Sequence, residues 1–213
     1  MRGRYAYIAA STGGLHIADV SDPAHPTAAG FYDPTAFSAH AIALSGNYAY
    51  IAAARSSPLI KPGGLRIIDV SNPAAPSQAG YYDDPQLEAA RVAVSGDYAC
   101  VTYWFGGARV VNVSNPTAPT PAGWIDTQQY VNDVAADGQY VYLVGGVDTR
   151  LRIYDVSDPM APAEAGIHAP VYPTRSVALV GDRVYVGLSN GFDVLEKAMP
   201  AWTDHAHLPL LSR

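Results

Sequence analysis

The sequence contains almost no cysteine and almost no lysine. Its single cysteine, Cys100, has no second cysteine for an internal disulfide, and the strand-like run around it favours a buried, unreactive thiol. Lysine occurs only at positions 61 and 197, and no run of Lys or Arg alternates with aromatic residues, so the basic surface of a nucleic-acid-binding protein is missing. The 19 acidic and 13 basic residues are spread along the chain, which indicates solubility rather than attraction of a cationic partner.

Long hydrophobic runs are absent as well. No window reaches the roughly 18 apolar residues of a membrane-spanning helix, so no transmembrane segment is expected. The amino terminus has two arginines, but its short apolar stretch already belongs to the first repeat and is not a usable signal peptide. Either the protein is cytoplasmic or an export signal lies outside this sequence. With 49% hydrophobic residues, the chain can nevertheless bury a sizeable core as one domain.

What the sequence does contain is an internal repeat. A marker glycine precedes an aromatic, strand-like segment at five places, namely Gly3, Gly46, Gly96, Gly138 and Gly181. The spacings are 43, 50, 42 and 43 residues, and the long one results from an inserted loop at 54–64. A period of this length is typical of propellers and other repeat architectures.

Each unit contains four short segments with strand-like composition. The first is apolar with a central alanine, as in 41–44, and is predicted to be the buried, innermost strand. The second alternates tyrosine with other residues, the third ends in a Ser-Asx-Pro turn, and the fourth contains Ala-Gly followed by large residues. Four antiparallel strands per 42 to 43 residues predict an all-β fold, a β-propeller of about five four-stranded blades. A flat sandwich is the rival fold, but it does not explain the regular spacing.

The two ends of the chain depart from this pattern. The chain opens at an aromatic second strand, and the fifth unit leaves the repeat after 191–195. We assign residues 1–198 to the propeller and 199–213 to a C-terminal tail, in which 208–211 is predicted to add an edge strand to the fifth or the first unit. The predicted architecture is a five-unit ring or near-ring. An incomplete, open ring and a fragment of a longer propeller are the alternatives.

Candidate ligand-binding residues lie where the chain enters the innermost strands, because propellers bind ligands at the channel mouth. The residues six and five positions before the marker glycines vary while their neighbours repeat; they are His40, Ala90, Asn132 and Arg175, then Ala41, Arg91, Asp133 and Ser176. From these we predict a polar mouth formed by His40, Arg91, Asn132, Asp133 and Arg175, which suits an anion or another polar ligand. The alternative is an ordinary channel lining that is hydrated by water.

Other polar residues are more consistent with structural roles. Four aspartates precede the inner strands, where carboxylates usually cap turns; they are Asp33, Asp83, Asp84 and Asp126. Three more recur in step with the repeat and are predicted to hydrogen-bond a turn in each blade; they are Asp19, Asp69 and Asp155. His205 and His207 have no third partner, so no metal site is predicted. We also predict no cofactor and no catalytic residue, since no HExxH, phosphate loop or nucleophile elbow occurs.

The best-matched unit reads Gly64-Leu-Arg-Ile-Ile-Asp-Val-Ser-Asn-Pro73, then Ala79-Gly-Tyr-Tyr-Asp83, then Val92-Ala-Val-Ser-Gly-Asp-Tyr-Ala99. These motifs resemble the LVIVD repeat, and the resemblance covers about residues 3–196, with Asn112 in place of the usual Asp. It implies a propeller fold and a bacterial or archaeal protein that is secreted or exposed at the cell surface. It implies no general activity.

Together these observations predict a non-catalytic binding scaffold that is extracellular or at the cell surface. Its partner is either an unidentified protein or a small polar ligand, and its oligomeric state is left open. The alternative is an enzyme of hydrolase or lyase type, with its active site at the channel mouth around His40, Asn132, Asp133 and Arg175. The two differ in whether these side chains converge on one pocket.

Overall fold

The computed structural model describes residues 3–33, 37–55, 63–84, 88–104 and 106–197, which contain strands and turns but no helix. The strands form five antiparallel sheets, here called blades 1 to 5. Blade 1 contains β1 (Tyr5–Ala9), β2 (Leu15–Asp19) and β3 (Thr27–Tyr32). Blade 2 contains β4 (Phe37–Ser45), β5 (Tyr48–Arg55), β6 (Gly64–Asp69) and β7 (Ser77–Asp83). Blade 3 contains β8 (Ala89–Ser95), β9 (Tyr98–Tyr103), β10 (Ala108–Asn112) and β11 (Thr120–Ile125).

Blade 4 contains β12 (Val131–Asp137), β13 (Tyr140–Gly145), β14 (Arg150–Asp155) and β15 (Ala163–His168), and blade 5 contains β16 (Thr174–Val180), β17 (Arg183–Leu188) and β18 (Gly191–Glu196). Within each sheet, consecutive strands are hydrogen-bonded neighbours. The strands β4, β8, β12 and β16 pack against one another from blade to blade, which makes them the innermost strands. The fold is the predicted all-β propeller. In the described ranges, no strand of blade 5 pairs with one of blade 1, so the blades form an open arc there. The tail lies outside the described residues.

The marker glycines begin the tight turns between the first and second strands. Each has a positive φ, between +51° and +59°. A glycine with positive φ at the first central position is typical of the type II′ turn, which matches the right-handed twist of the two strands it joins. The residue after each glycine then accepts a backbone hydrogen bond from the residue that follows the third strand, for example from Val70 N–H to Asn47 O at 2.8 Å.

The recurring aspartates hold the turns after the third strand, as predicted. The carboxylate of Asp69 accepts the backbone N–H of Ser71 at 2.8 Å, and Asp19 and Asp155 do the same in their own blades. Asn112 takes the same role, because its side-chain oxygen accepts the N–H of Ser114 at 3.0 Å. The repeat therefore needs an acceptor oxygen at this position, and either Asp or Asn supplies one.

These bonds predict a small loss of stability in acid. Hydrogen bonds from the hydroxyl and backbone N–H of Ser71 hold the pKa of Asp69 below its ordinary value of 3.8. A lowered pKa stabilises the fold above that ordinary value, and the stabilisation is lost as the pH falls through the folded-state pKa. In the variant Asp69→Asn, the melting temperature is therefore expected to fall less between pH 4 and pH 2 than in wild type, with little change at pH 7. In the variant Asn112→Asp, it should fall more steeply over the same pH range. If the melting temperatures of both variants decrease with pH in parallel with that of wild type, the assignment is contradicted.

The hydrophobic core consists of four apolar clusters, and each lies between two consecutive blades. In β6, for example, Leu65 and Ile67 face blade 3 while Ile68 faces blade 1. Cys100 is buried in the cluster between blades 3 and 4, and burial raises the pKa of its thiol to about 12. The prediction of a buried thiol is confirmed, and the thiol stays protonated near neutral pH.

A second contact between blades involves backbone alone. The fourth strand of a blade lies against the proline turn of the next blade, so closely that a Cβ on its glycine would overlap the proline carbonyl oxygen. The pairs are Gly30 with Pro73, Gly80 with Pro116, and Gly123 with Pro159. The glycine in each Ala-Gly motif is thus required by close approach of two chains, since any side chain would separate the blades.

Candidate functional site

Each innermost strand has a β-bulge close to its start. The strand register shifts between Ala39 and Ala41, and equivalent shifts occur in β8, β12 and β16. The extra residues are His40, Ala90, Asn132 and Arg175. The variable residues six positions before the marker glycines are therefore the bulged residues. A bulge leaves one residue outside the ladder and redirects its side chain, and bulges are frequent beside functional sites.

His40 reaches from blade 2 towards blade 3. Its ring centroid lies 6.2 Å from that of Trp104, at an interplanar angle of 72°. The indole of Trp104 is exposed, whereas the buried Nδ1 of His40 has no hydrogen-bond partner in the described part of the chain. The mouth between blades 2 and 3 thus presents an exposed aromatic side chain beside a buried imidazole nitrogen.

Asn132 and Asp133 join blade 4 to blade 5. The Asn132 side-chain amide donates to Thr174 O at 3.2 Å. One carboxylate oxygen of Asp133 accepts the N–H of Val134, and the other accepts the N–H of Val177, both at 3.0 Å. Both side chains therefore bind backbone groups of β16, one before and one after its bulge. Asp133 is a structural link rather than a free carboxylate at the mouth.

The two arginines differ in their surroundings. The guanidinium of Arg91 is half-buried and donates to Ala90 O at 3.0 Å, while its backbone N–H donates to Thr102 Oγ1. Arg175 is exposed, and no carboxylate of the described residues forms an ion pair with it. The structure thus places the five predicted residues at two repeat positions, the bulge and the residue after it, on neighbouring inner strands. Of the other four, only Asn132 and Asp133 form hydrogen bonds to the strand that carries Arg175. His40 and Arg91 form no mutual hydrogen bond in the described ranges.

The aspartates that precede the inner strands have partners elsewhere. Asp83 forms an ion pair with Arg66 of its own blade, and Asp84 forms one with Arg109 of the next blade at 3.3 Å. Asp126 accepts the N–H of Gln128 at 2.9 Å, which is the turn cap expected of it. Three of these four carboxylates are therefore engaged elsewhere, and none of the three pairs with Arg175.

A set of arginines in the third strands was not predicted from the sequence. Three of these strands carry an Arg at an equivalent register position, and the guanidinium carbon of Arg109 lies 4.5 Å from the centre of the Trp124 ring. Arg66 lies 5.3 Å from both Phe37 and Tyr81. The signal was present in the repeat, because Arg66, Arg109 and Arg152 occupy equivalent positions.

Several exposed apolar side chains lie in the loops on one side of the blades. We call this side the loop face; it is the edge where the first and third strands of each blade begin. The exposed apolar residues of its loops include Trp104, Tyr130, Val147, Val171 and Tyr172. They surround the mouth on blades 3, 4 and 5. Exposed aromatic and apolar groups around a polar centre are typical of a recognition surface.

A shallow cleft also opens on the loop face of blade 4, where it is lined by Gln129, Tyr130 and Arg150 among others. Arg152 at its base pairs with Asp148 and Glu164, so the cleft offers little free charge. Within the described ranges, no three His, Cys, Asp or Glu side chains are grouped as metal ligands, and none of the described segments is a helix long and apolar enough to cross a membrane. His205 and His207 lie outside those ranges.

Comparison with known proteins identifies the repeat. A family model described as the LVIVD repeat matches residues 1–34, 38–84, 88–127 and 129–169, which cover most of the chain. No curated protein matches the sequence.

Solved structures that are similar to this chain share its fold at low sequence identity. A putative 6-phosphogluconolactonase from Bacteroides uniformis is 14% identical, with a TM-score of 0.75 over 93% of this chain and 65% of that one. BamB from Moraxella catarrhalis is 12% identical, with a TM-score of 0.67 over 96% of this chain and 56% of that one. The designed protein Ika8 is 12% identical, with a TM-score of 0.69 over 92% and 56%. The chain thus spans between half and two thirds of these larger proteins.

Proposed function

This chain belongs to the LVIVD repeat family, and on that basis we propose that it is a non-catalytic binding scaffold. Its ligand is held at the mouth of the inner strands and carries an anionic group. The apolar side chains of the loop face then contact the rest of that ligand or of a protein partner. The β-propeller fold suits this role, because a rigid frame of strands carries loops and bulges that differ from blade to blade.

The observation that carries the proposal is the arrangement of the four bulges. They place the variable side chains of the repeat side by side, and the guanidinium of Arg175 is exposed among them without a carboxylate partner in the described residues. The one carboxylate among the predicted residues, Asp133, already accepts two backbone N–H groups. The exposed guanidinium of Arg175 therefore attracts a carboxylate or phosphate rather than a cation.

The same hydrogen bonds argue against the enzyme alternative. A general base needs a carboxylate or imidazole within reach of the substrate proton. Asp133 and Asn132 instead hold the backbone of blade 5, so two of the four residues assigned to that alternative already have structural partners.

Binding of a small anion tests the proposal. Citrate is the probe, and its affinity is measured by isothermal titration calorimetry at low salt. Removing a charged hydrogen-bonding group costs about 1.5–3 kcal/mol, so Arg175→Ala is expected to weaken citrate binding about tenfold or more. Arg183→Ala removes another exposed charge, at the opposite edge of the same blade, and should leave the affinity unchanged. Equal losses in both variants, or a wild type that does not bind citrate, would contradict an anion site at the mouth.

We further propose that the protein acts at the cell surface or in the medium. The support is the family resemblance. Recovery of the native protein from the culture medium or the outer cell fraction would agree with this location, and recovery from the cytosol alone would contradict it.

A further inference from the structure

Three loops on the loop face of blades 4 and 5 are joined to one another by hydrogen bonds. They are residues 126–130, 146–149 and 169–173, and together we call them the rim. The backbone N–H of Val147 donates to the side-chain oxygen of Gln129 at 2.8 Å, which ties the second loop to the first. The N–H of Thr174, directly after the third loop, donates to Thr149 O at 3.4 Å, which ties the third to the second. The rim is therefore one connected surface.

Two residues of the rim hold an uncommon backbone conformation. Gln128 has a φ of +50° and Thr149 has a φ of +54°, in the left-handed region that favours glycine. Other residues stay in this region only where surrounding contacts fix them, and they concentrate at binding sites. Asp126 accepts the N–H of Gln128 at 2.9 Å, and Thr149 O accepts that of Thr174. These contacts hold the rim in one shape in the absence of a partner.

The rim presents four large apolar side chains to solvent. Val147 and Val171 are 83% and 80% exposed, and Tyr130 and Tyr172 are 41% and 42% exposed. A partner that covers these side chains removes their apolar surface from water, which favours the complex. Valine and tyrosine have few rotatable bonds, so ordering them in a complex costs little conformational entropy. Such groups are suited to contact with a protein.

A single uncompensated positive charge lies beside these side chains. Asp148 in the second loop pairs with Arg152, and its Oδ2 lies 3.7 Å from Nε of Arg150, so these two arginines have a carboxylate nearby. Arg175 follows Thr174 at the end of the third loop, is exposed, and forms no ion pair with a described carboxylate. The surface therefore combines four apolar groups with one cation that is free to pair with an anion from outside.

We propose that the rim binds a peptide segment of a protein partner in which a carboxylate lies beside apolar side chains. The carboxylate pairs with Arg175, and the apolar side chains of the segment cover Val147 and Val171 and pack against the two tyrosines. This inference rests on the function proposed above and deepens it, because it names the chemical class of the ligand.

The hydrogen-bonding groups next to the rim favour a peptide over a saccharide. The side-chain oxygen of Gln129 accepts the N–H of Val147, and the Asn132 amide donates to Thr174 O. Both carboxylate oxygens of Asp133 accept backbone N–H groups. A small polar ligand such as a saccharide depends on free polar groups of this kind for its orientation. Since these atoms already have backbone partners, the remaining contacts are mainly apolar and cationic.

Selection from a phage library of random heptapeptides tests the inference. On the wild-type protein, the enriched peptides are expected to contain an acidic residue beside two or more apolar residues. On the variant Arg175→Glu, the same library should instead enrich peptides with lysine or arginine at the acidic position, because like charges are rejected and opposite charges are attracted. Basic or purely polar peptides on the wild type, or no enrichment over an uncoated surface, would overturn the proposal.

Affinity measurements then test the apolar contacts. The most enriched peptide is labelled and titrated by fluorescence anisotropy. The double variant Val147→Ser/Val171→Ser is expected to weaken its binding about tenfold or more, since a few well-covered apolar contacts dominate the energy of an interface. Both side chains are exposed, so the urea midpoint of this variant should match that of wild type, which shows that a loss of binding is not a loss of fold.

Met160→Ser is the matched control. Met160 is also 83% exposed, but it lies in a turn at the opposite edge of blade 4. Its substitution should leave the affinity for the peptide unchanged. Equal losses in the control and the double variant, or full affinity in the double variant, would mean that the peptide does not bind at the rim.

Citrate separates this inference from the function on which it rests. If citrate binding depends on Arg175 while peptide binding does not depend on Val147 and Val171, the anion site stands and the rim proposal falls. If the wild type binds no citrate, the proposed small-anion site falls. Peptide binding that requires both valines, with a charge preference that Arg175→Glu reverses, would then still support the rim.

Discussion

Gly80→Ala is expected to lower the free energy of unfolding by about 3 kcal/mol or more, since forcing extra atoms into a packed interior typically costs about 1–3 kcal/mol and more when backbone must move. The new Cβ would overlap the carbonyl oxygen of Pro116 in the next blade. Neither group is the end of a flexible side chain, so the two blades must separate. Urea denaturation followed by tryptophan fluorescence measures the loss.

Gly138→Ala is the matched control for this prediction. Gly138 has a φ of +52° and nothing within 4 Å of the position that a Cβ would take. Its substitution therefore costs only the left-handed backbone conformation of a non-glycine residue, about 1–2 kcal/mol. If both variants lose the same stability, the close approach between blades is not what requires glycine in the Ala-Gly motif.

Leu65→Ala is expected to destabilise the protein by about 2–5 kcal/mol, the range for truncating a fully buried leucine. Leu65 is completely buried in the cluster between blades 2 and 3, together with Ile67, Val101 and Tyr103. The neighbours come from two sheets whose strands fix their backbones, so they cannot collapse fully into the cavity. The midpoint of urea unfolding should fall while the dependence of the free energy on urea stays the same.

The control for the cavity prediction lies on an exposed turn. Met160 follows the proline of blade 4 and is exposed. Met160→Ala removes a side chain of similar size that excludes little water from the core, so the change should stay within about 0.5 kcal/mol. A Leu65→Ala variant as stable as Met160→Ala would mean that the packing between blades 2 and 3 contributes little to the fold.

The strands and turns of the blades were predictable because their causes are local. A glycine before Tyr48 specifies a tight turn, and Asp69 before Ser71 specifies an Asx turn, whatever the rest of the chain does. These signals recur about every 43 residues, so each unit confirms the others. The five propeller units followed from this regularity alone.

The ion pairs of the loop face were not predictable for a physical reason. Asp83 and Asp84 are adjacent, and neighbouring residues of an extended chain point to opposite sides. One therefore pairs with Arg66 of its own blade and the other with Arg109 of the next. Which partner each finds depends on a register that is set by contacts between sheets. The sequence marked both residues only as turn caps.

The bulges were predictable only in part. Nothing in the composition of 39–41 indicates an extra residue, so the bulge itself was not predicted. Its position was nevertheless visible, because His40, Ala90, Asn132 and Arg175 vary where the surrounding residues repeat. Variation at one position of the repeat therefore indicated where the mouth lies. The hydrogen bonds that Asn132 and Asp133 form with backbone groups could be identified only from the structure.

The inserted loop of blade 2 shows how the frame tolerates added chain. Tyr48 pairs with Asp69 just as Tyr5 pairs with Asp19, although seven more residues separate the first pair. The strand pairing beside this connection is unchanged, since Ala52 faces Leu65 as Ala9 faces Leu15. The same connection in the other blades, between the second and third strands, is therefore suited to the insertion of foreign peptides. In a display scaffold made from this chain, these loops would be varied before any other segment.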